Sequence, residues 1–304
     1  MGIGNYIKVI GRGKDGARSL TREQSCDLLG QILDGRVTDF EVGAFCLAMR
    51  IKGETAQEMA GFLDAIDCRI SKVSSAGLPT VVLPSYNGAR KLPLLTPLLA
   101  LLLARQGLAV LLHGMKTEAS RVGVQDVLAA LGIAAQTQIE NITPGTLAFV
   151  PTALLCPALA RLLDVRRVTG LRNPAHSLVK LLNPCDGPAL LVSSYTHPEY
   201  AASMGATFHL MHSNALLLRG TEGEAVADPR RTPAMDAFVN GEMRRVQEQQ
   251  DGALGQVPSL PTVDAQSTAD WTQAVLDGHE PVPTPIALQV AHIVRLSEQM
   301  ARPA

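Results

Sequence analysis

The sequence predicts an α/β protein in which a small N-terminal helical subdomain precedes a larger α/β domain with a mainly parallel sheet. Short amphipathic helical segments follow one another up to about residue 67. After Thr80, short apolar strands alternate with helical segments, which is typical of parallel strands joined by right-handed crossovers. We therefore place the helical subdomain at 1–76, joined by helices from about 151–184, and the α/β domain at 77–304.

The composition is that of a globular protein with no global affinity for polyanions. The 304 residues are 46% hydrophobic and 18% charged, and the net charge is −1. Lys and Arg outnumber Asp and Glu only in residues 84–200, by ten to six, so any positive field is local. Five cysteines without a CxxC pair predict reduced thiols in a cytoplasmic protein. Proline, arginine and glycine interrupt the leucine-rich segment 92–112, and we expect no membrane association.

Helix starts are the clearest local signals. Thr21 and Gln24 form the pattern of a capping box, and further helices open at Asp39 and Thr55. Residues 1–20 are glycine-rich and predict a loop, and proline and glycine divide residues 221–285 into loops and short elements. The other predicted elements are strands near 80–83, 108–112, 147–150, 188–194 and 214–219, and helices near 96–106, 121–131, 157–165, 173–182, 197–204 and 284–300.

Two polar loops predict an anion-binding crevice. The loop from Pro84 follows the first strand and the loop from His113 follows the second, and ligands of parallel sheets bind where such loops meet. The helix that starts at Thr96 adds backbone donors that favour anions. An ordinary tight turn at Asn87 and a structural role for His113 are equally compatible with the sequence. The expected lining is Ser85, Tyr86, Asn87, Gly88, His113, Gly114, Ser120, Asn173 and His176.

Basic residues are concentrated in the same part of the chain. Residues 161–180 contain more cations than one small anion needs, so either a solvated helix face or a phosphate-backbone track explains them. Glu222, Glu224 and Asp228 match no strong metal motif, and we expect no bound metal. The candidate phosphate contacts are Arg90, Lys91, Lys116, Arg121, Arg166, Arg167, Arg172, Lys180, Arg230 and Arg231.

Three segments resemble anthranilate phosphoribosyltransferase and its nucleoside phosphorylase relatives. They are Met49–Thr55 with the following Gly61, the two-loop stretch after Thr80, and the Ala274–Gly278 segment. The resemblance implies a small α subdomain beside a larger α/β domain, and a homodimer formed through the α subdomain.

The motifs that serve catalysis in that family are altered here. The GTGGD loop reads Pro84–Gly88, and the KHGN motif survives only as Leu112–Met115. The paired serines reduce to Ala119–Ser120, and the magnesium-binding Asp-Glu pair reads Glu224–Val226. Because pentosyl transfer needs its pyrophosphate leaving group to be neutralised, the joint loss of these groups argues against the parent reaction.

The substituted motifs are similar to those of the YbiB-type branch of the TrpD-like proteins. They are Pro84–Arg90, Arg172–His176 and Gly220–Arg231. This resemblance implies a homodimer that binds nucleic acid in a basic groove, with DNA as the first candidate. It also implies that there is no catalytic residue and no cofactor. The alternative is a glycosyl- or phosphoribosyltransferase with an altered donor site, for which magnesium would be needed. A protein-binding pseudoenzyme is a third hypothesis.

Overall fold

The computed structural model describes residues 2–13, 15–75, 79–250 and 259–301, which form a helical bundle and a seven-stranded sheet with further helices. The strands are β1 (Thr80–Ser85), β2 (Ala109–Gly114), β3 (Leu147–Pro151), β4 (Ala189–Tyr195), β5 (Ala215–Arg219), β6 (Met235–Val239) and β7 (Glu242–Gln247). The helices are α1 (Gly4–Ile10), α2 (Arg22–Leu33), α3 (Asp39–Lys52), α4 (Ala56–Asp67), α5 (Thr96–Arg105), α6 (Val124–Ala130), α7 (Thr152–Leu155), α8 (Pro157–Thr169), α9 (Ala175–Leu178), α10 (Pro198–Leu210), α11 (Ala265–Leu276) and α12 (Thr284–Ala301).

Capping boxes start the three helices α2, α3 and α4. Thr21, Thr38 and Thr55 each accept a hydrogen bond from the third residue of the helix, whose side chain reaches back to the cap. The last of these boxes also joins the bundle together. Its Glu58 carboxylate is fully buried, and it accepts hydrogen bonds from the Leu20 amide at 3.0 Å and from Lys52 Nζ at 2.7 Å.

The N-terminal segment forms a helix, α1, where the sequence predicted a loop. Ile3 and Ile10 are buried, and Glu41 on α3 accepts a hydrogen bond from the Ile3 amide at 3.0 Å. Packing against α3 therefore stabilises a short helix that glycine content alone disfavours.

The sheet places the two polar loops side by side, as predicted. Its strand order is β3-β2-β1-β4-β5-β6-β7, and the strands from β3 to β5 in this order are parallel. Ser85 at the end of β1 pairs with Gly114 at the end of β2, so the two loops leave the sheet as neighbours. The five predicted strands and the mainly parallel topology are confirmed.

Each face of the sheet has its own apolar core. One face packs against the N-terminal bundle, and Leu159 and Leu178 of α8 and α9 belong to the same buried cluster as Phe62 of α4. The other face packs against α5, α6, α11 and α12 through residues such as Leu99 and Ile293. The predicted boundary between the helical subdomain and the α/β domain, between residues 76 and 77, lies outside the described residues and remains a prediction. Within the described ranges, no helix has the length and apolarity needed to cross a bilayer.

Two predicted regions differ from the structure. The helix expected over 173–182 is reduced to α9. The following amides of Lys180 and Leu181 donate to Ser177 and Leu178, three residues back, and Pro184 has no amide to extend a helix. Within 221–285 the chain forms β6, β7 and α11. The two strands are antiparallel and join at Asn240 and Gly241, which both have positive φ, as a tight hairpin turn requires.

Candidate anion-binding site

The loop after β1 closes around the carboxylate of Glu224. The backbone amides of Asn87 and Gly88 each donate to Glu224 Oε1 at 2.8 Å. Glu224 Oε2 accepts from Ser85 Oγ and from Thr96 Oγ1, the latter at 3.2 Å. The Glu224 side chain is 1% exposed. Two backbone amides and the start of α5 form an arrangement that suits an anion, and the protein supplies that anion itself.

A second carboxylate fills the rest of the same loop. Glu222 accepts hydrogen bonds from the backbone amides of Arg90 at 2.7 Å, Lys91 at 2.6 Å and Leu92 at 3.2 Å. Gly223 lies between the two acids with a φ of +84°, and a Cβ there would come within 1.9 Å of Asn87 Nδ2. Only glycine therefore allows the segment to pack this closely against the loop.

The filled loop differs from the open crevice that the sequence predicted. Ser85, Asn87 and Gly88 bind Glu224 and are buried, so an anion from solvent would have to displace a buried carboxylate. The sequence carries no direct sign of this contact, because 136 residues separate Gly88 from Glu224.

The acids of this segment do not fit a magnesium site. Magnesium binds carboxylate oxygens that are free to coordinate it, whereas Glu222 and Glu224 accept three and four hydrogen bonds. Asp228 pairs with Arg230 at 2.9 Å and with Arg231 at 3.4 Å. The described residues contain no group of three His, Cys, Asp or Glu side chains that could hold a metal. No chemical step is assigned to a metal here.

His113 belongs to a buried hydrogen-bond chain. Thr152 Oγ1 donates to Tyr86 Oη at 2.9 Å, and Tyr86 Oη lies 2.8 Å from His113 Nδ1. Burial lowers the pKa of His113 to about 3 and raises the pKa of Tyr86. A neutral, enclosed imidazole favours the structural interpretation of His113 over a role as proton carrier.

Three arginines converge on one carboxylate beside the filled loop. Glu118 lies 2.8 Å from Arg166, 3.1 Å from Arg121 and 3.6 Å from Arg172. Burial alone would raise the pKa of Glu118, but the hydrogen bond from Arg166 and the three positive charges outweigh it, and the pKa is lowered. Arg121 also donates to the Asn87 carbonyl at 3.3 Å, which connects the two loops. This group, the arginine cluster, carries a net charge of +2.

A cleft of about 480 Å³ opens between the helical bundle and the end of β4. Burial is the main cause that lowers the pKa of His176, to about 4, and that of Lys180, to about 8. His176 Nε2 is buried and makes no hydrogen bond with any described residue. Lys180 Nζ donates to the Gly223 carbonyl at 2.9 Å. The lining includes Arg50, Glu54, Arg172, Asn173, His176, Lys180, Tyr195 and Tyr200.

The other basic residues that were predicted to contact phosphate differ in their ion pairs and in their exposure. Lys116 pairs with Asp126 at 2.9 Å, and Arg167 pairs with Asp164 at 2.9 Å. Gly114, Lys116 and Arg167 line a separate cavity of about 780 Å³, and Ser120 is exposed. Arg90 and Lys91 are exposed, and their side chains form no ion pair within the described ranges.

Sequence reasoning missed several residues that shape the site. Glu118 was not selected, although its spacing from Arg121 within one loop allows the ion pair that the structure contains. Glu222 and Glu224 were considered only as metal ligands. Tyr195 and Tyr200 line the cleft with Arg50 from α3, and no motif connects these three positions in the sequence.

Known proteins resemble this chain over most of its length. Residues 5–67 match a family described as "Glycosyl transferase family, helical bundle domain". A protein of Escherichia coli (strain K12), described as uncharacterized protein YbiB, is 40% identical over 296 residues, 94% of this chain and 91% of that protein. An anthranilate phosphoribosyltransferase of Myxococcus xanthus (strain DK1622) is 28% identical over 283 residues, 89% of this chain and 81% of the enzyme.

Solved structures show the same fold. Anthranilate phosphoribosyltransferase (TrpD) from Thermus thermophilus superposes with a TM-score of 0.73 at 21% identity, over 94% of this chain and 85% of the enzyme. The Saccharomyces cerevisiae enzyme in complex with PRPP and Mg gives a TM-score of 0.71 at 15% identity, over 98% of this chain and 89% of the enzyme.

Removal of the Glu224 carboxylate should destabilise the fold. We expect Glu224→Ala to lower the free energy of unfolding by about 3 kcal/mol, because it leaves buried amides and hydroxyls unpaired. Glu224→Gln keeps one oxygen for the amides of Asn87 and Gly88 and should lose less. Urea unfolding followed by circular dichroism measures both. An alanine variant as stable as the wild type would contradict this role.

Proposed function

Because this chain belongs to the YbiB/TrpD-like group of glycosyltransferase family 3, we propose that it binds nucleic acid, DNA in the first place, and transfers no pentosyl group. The observation that carries the proposal is the filled loop after β1. Glu222 and Glu224 occupy the backbone amides of that loop with negative charge, where a pyrophosphate would need positive partners. We assign no catalytic residue and no cofactor.

Positive charge beside the filled loop supports phosphate binding. The arginine cluster contains three guanidinium groups against one carboxylate. Backbone hydrogen bonds between Ala89 and Val122, at 2.9 and 3.1 Å, bring the exposed Arg90 next to Arg121. Together with Lys91 these side chains form a basic edge along the carboxyl ends of β1 and β2. Arginine and lysine side chains bind the phosphates of nucleic acid, and such contacts do not depend on its sequence.

A second candidate function is favoured by the names of the relatives. Those with a stated activity are anthranilate phosphoribosyltransferases, and one solved structure contains PRPP and Mg. In that case the chain is a glycosyl- or phosphoribosyltransferase with an altered donor site, in which Glu222 and Glu224 leave the loop to admit the donor. Calorimetric titration with PRPP and magnesium tests it, and saturable binding would support this second function over the first.

Nucleic-acid binding by the basic edge should depend steeply on salt. If about four cations contact phosphates, the affinity for duplex DNA should fall about 100-fold between about 50 and 200 mM salt. Fluorescence anisotropy of a labelled duplex measures this. Replacement of Arg90 and Lys91 by Ala should weaken binding and reduce the salt dependence, whereas Arg36→Ala, an exposed cation between α2 and α3, should change neither. An affinity that barely responds to salt would rule out this mode of binding.

We also propose that two copies associate through the helical subdomain. Phe40, Leu47 and Ile51 lie on one side of α3 and are 91%, 50% and 63% exposed, an apolar stripe that a second copy can bury. Leu47→Asp should halve the mass measured by light scattering. Met243→Asp, at a 59% exposed position on β7, should leave it unchanged. A monomeric wild type, or a Leu47→Asp variant that remains dimeric, would contradict this interface.

A further inference from the structure

We propose that the arginine cluster is a binding site for a phosphate monoester, and that Glu118 occupies this site until the phosphate displaces it. The inference rests on the proposed phosphate binding at the same edge, and it adds the charge state of the ligand. A strand end with a 5′-phosphate and a free sugar phosphate both carry such a group.

The charge of the cluster matches a dianion better than a monoanion. Arg121, Arg166 and Arg172 surround Glu118 within 3.6 Å, and all four side chains are at most 35% exposed. Burial and the neighbouring Arg166 lower the pKa of Arg172, so the guanidinium groups repel one another across the cluster. One carboxylate leaves two positive charges uncompensated. A phosphate monoester carries nearly two negative charges at neutral pH and neutralises more of the cluster than a backbone diester does.

Two buried nitrogens, one in the cluster and one beside it, make no hydrogen bond with any described residue. The first is Arg166 Nη1, although Nη2 of the same guanidinium contacts Glu118. His176 Nε2 is buried in the same way, and His176 and Arg172 both line the cleft between the bundle and β4. Buried polar atoms are nearly always paired in folded proteins. Of the arginine cluster, Arg172 lines this cleft, so a phosphate that enters it offers acceptors to the Arg172 guanidinium and to the cluster behind it.

Glu118 is suited to displacement, in contrast to Glu224. It lies in a loop between β2 and α6, is 21% exposed in its side chain, and forms ion pairs with the three arginines. Glu224 is 1% exposed and accepts hydrogen bonds from two backbone amides. A phosphate with a higher charge competes with Glu118 for the same guanidinium groups, whereas the displacement of Glu224 would unpair the loop itself.

The test compares two single-stranded oligonucleotides of one sequence, with a 5′-phosphate or a 5′-hydroxyl, in fluorescence anisotropy at fixed salt. The wild type should bind the phosphorylated strand about tenfold more tightly. Glu118→Gln should increase this preference, because it removes the competing carboxylate, whereas a purely structural Glu118 would give weaker binding. Arg166→Met should abolish the preference, and Arg166→Lys should retain part of it. Arg36→Met, at the exposed position between α2 and α3, should leave the preference unchanged.

Competition with ribose 5-phosphate shows whether the site takes phosphate monoesters in general or only those at strand ends. Displacement of the phosphorylated strand by this sugar phosphate assigns the site to monoesters in general, and a lack of displacement assigns it to strand ends. Equal affinity for the two oligonucleotides overturns the monoester site and leaves the proposed nucleic-acid binding intact. Arg166-dependent binding of ribose 5-phosphate without binding of either strand or of the labelled duplex keeps the site and overturns the proposed function. No binding of the sugar phosphate, the two strands or the duplex overturns both.

Discussion

The contact between Glu224 and the loop after β1 pairs the backbone amides of that loop with a carboxylate of the same chain. A buried carboxylate needs hydrogen-bond partners, and the loop supplies two backbone amides and two hydroxyls in one place. The same contact holds Gly223 against Asn87 and brings Glu222 onto the amides of Arg90, Lys91 and Leu92. The amides and hydroxyls of the loop are therefore paired with the protein's own acids.

The chain shares its fold with anthranilate phosphoribosyltransferases, but its loop after β1 is filled by two acids of its own. Backbone amides beside a helix start are suited to phosphate, and a single acidic side chain is enough to close such a site. The positive charge that remains lies at Arg121, Arg166 and Arg172, next to the closed loop. Our proposal therefore assigns anion binding to these guanidinium groups and not to the backbone amides of the loop.

The sequence predicted the elements that depend on local patterns. The capping box at Thr21, the helix start at Thr55, the five parallel strands and the adjacent loops all follow from residues close together in the chain. The contact of Glu224 with Gly88 and the packing of α1 on α3 were not predicted, because both depend on tertiary neighbours. The ten selected cations also could not be sorted from sequence, since pairing with Asp126, Asp164 or Asp228 depends on the folded positions of the side chains.

We propose that Glu224 stays bound to the Asn87 and Gly88 amides, so that pyrophosphate does not replace it. The most direct test is to follow the backbone amide resonances of Asn87 and Gly88 by NMR while pyrophosphate and magnesium are added to the wild type. Our account predicts that these two resonances remain unchanged, because their hydrogen bonds to Glu224 persist. Saturable shifts of both resonances would show that an external anion replaces the carboxylate, and would contradict the account.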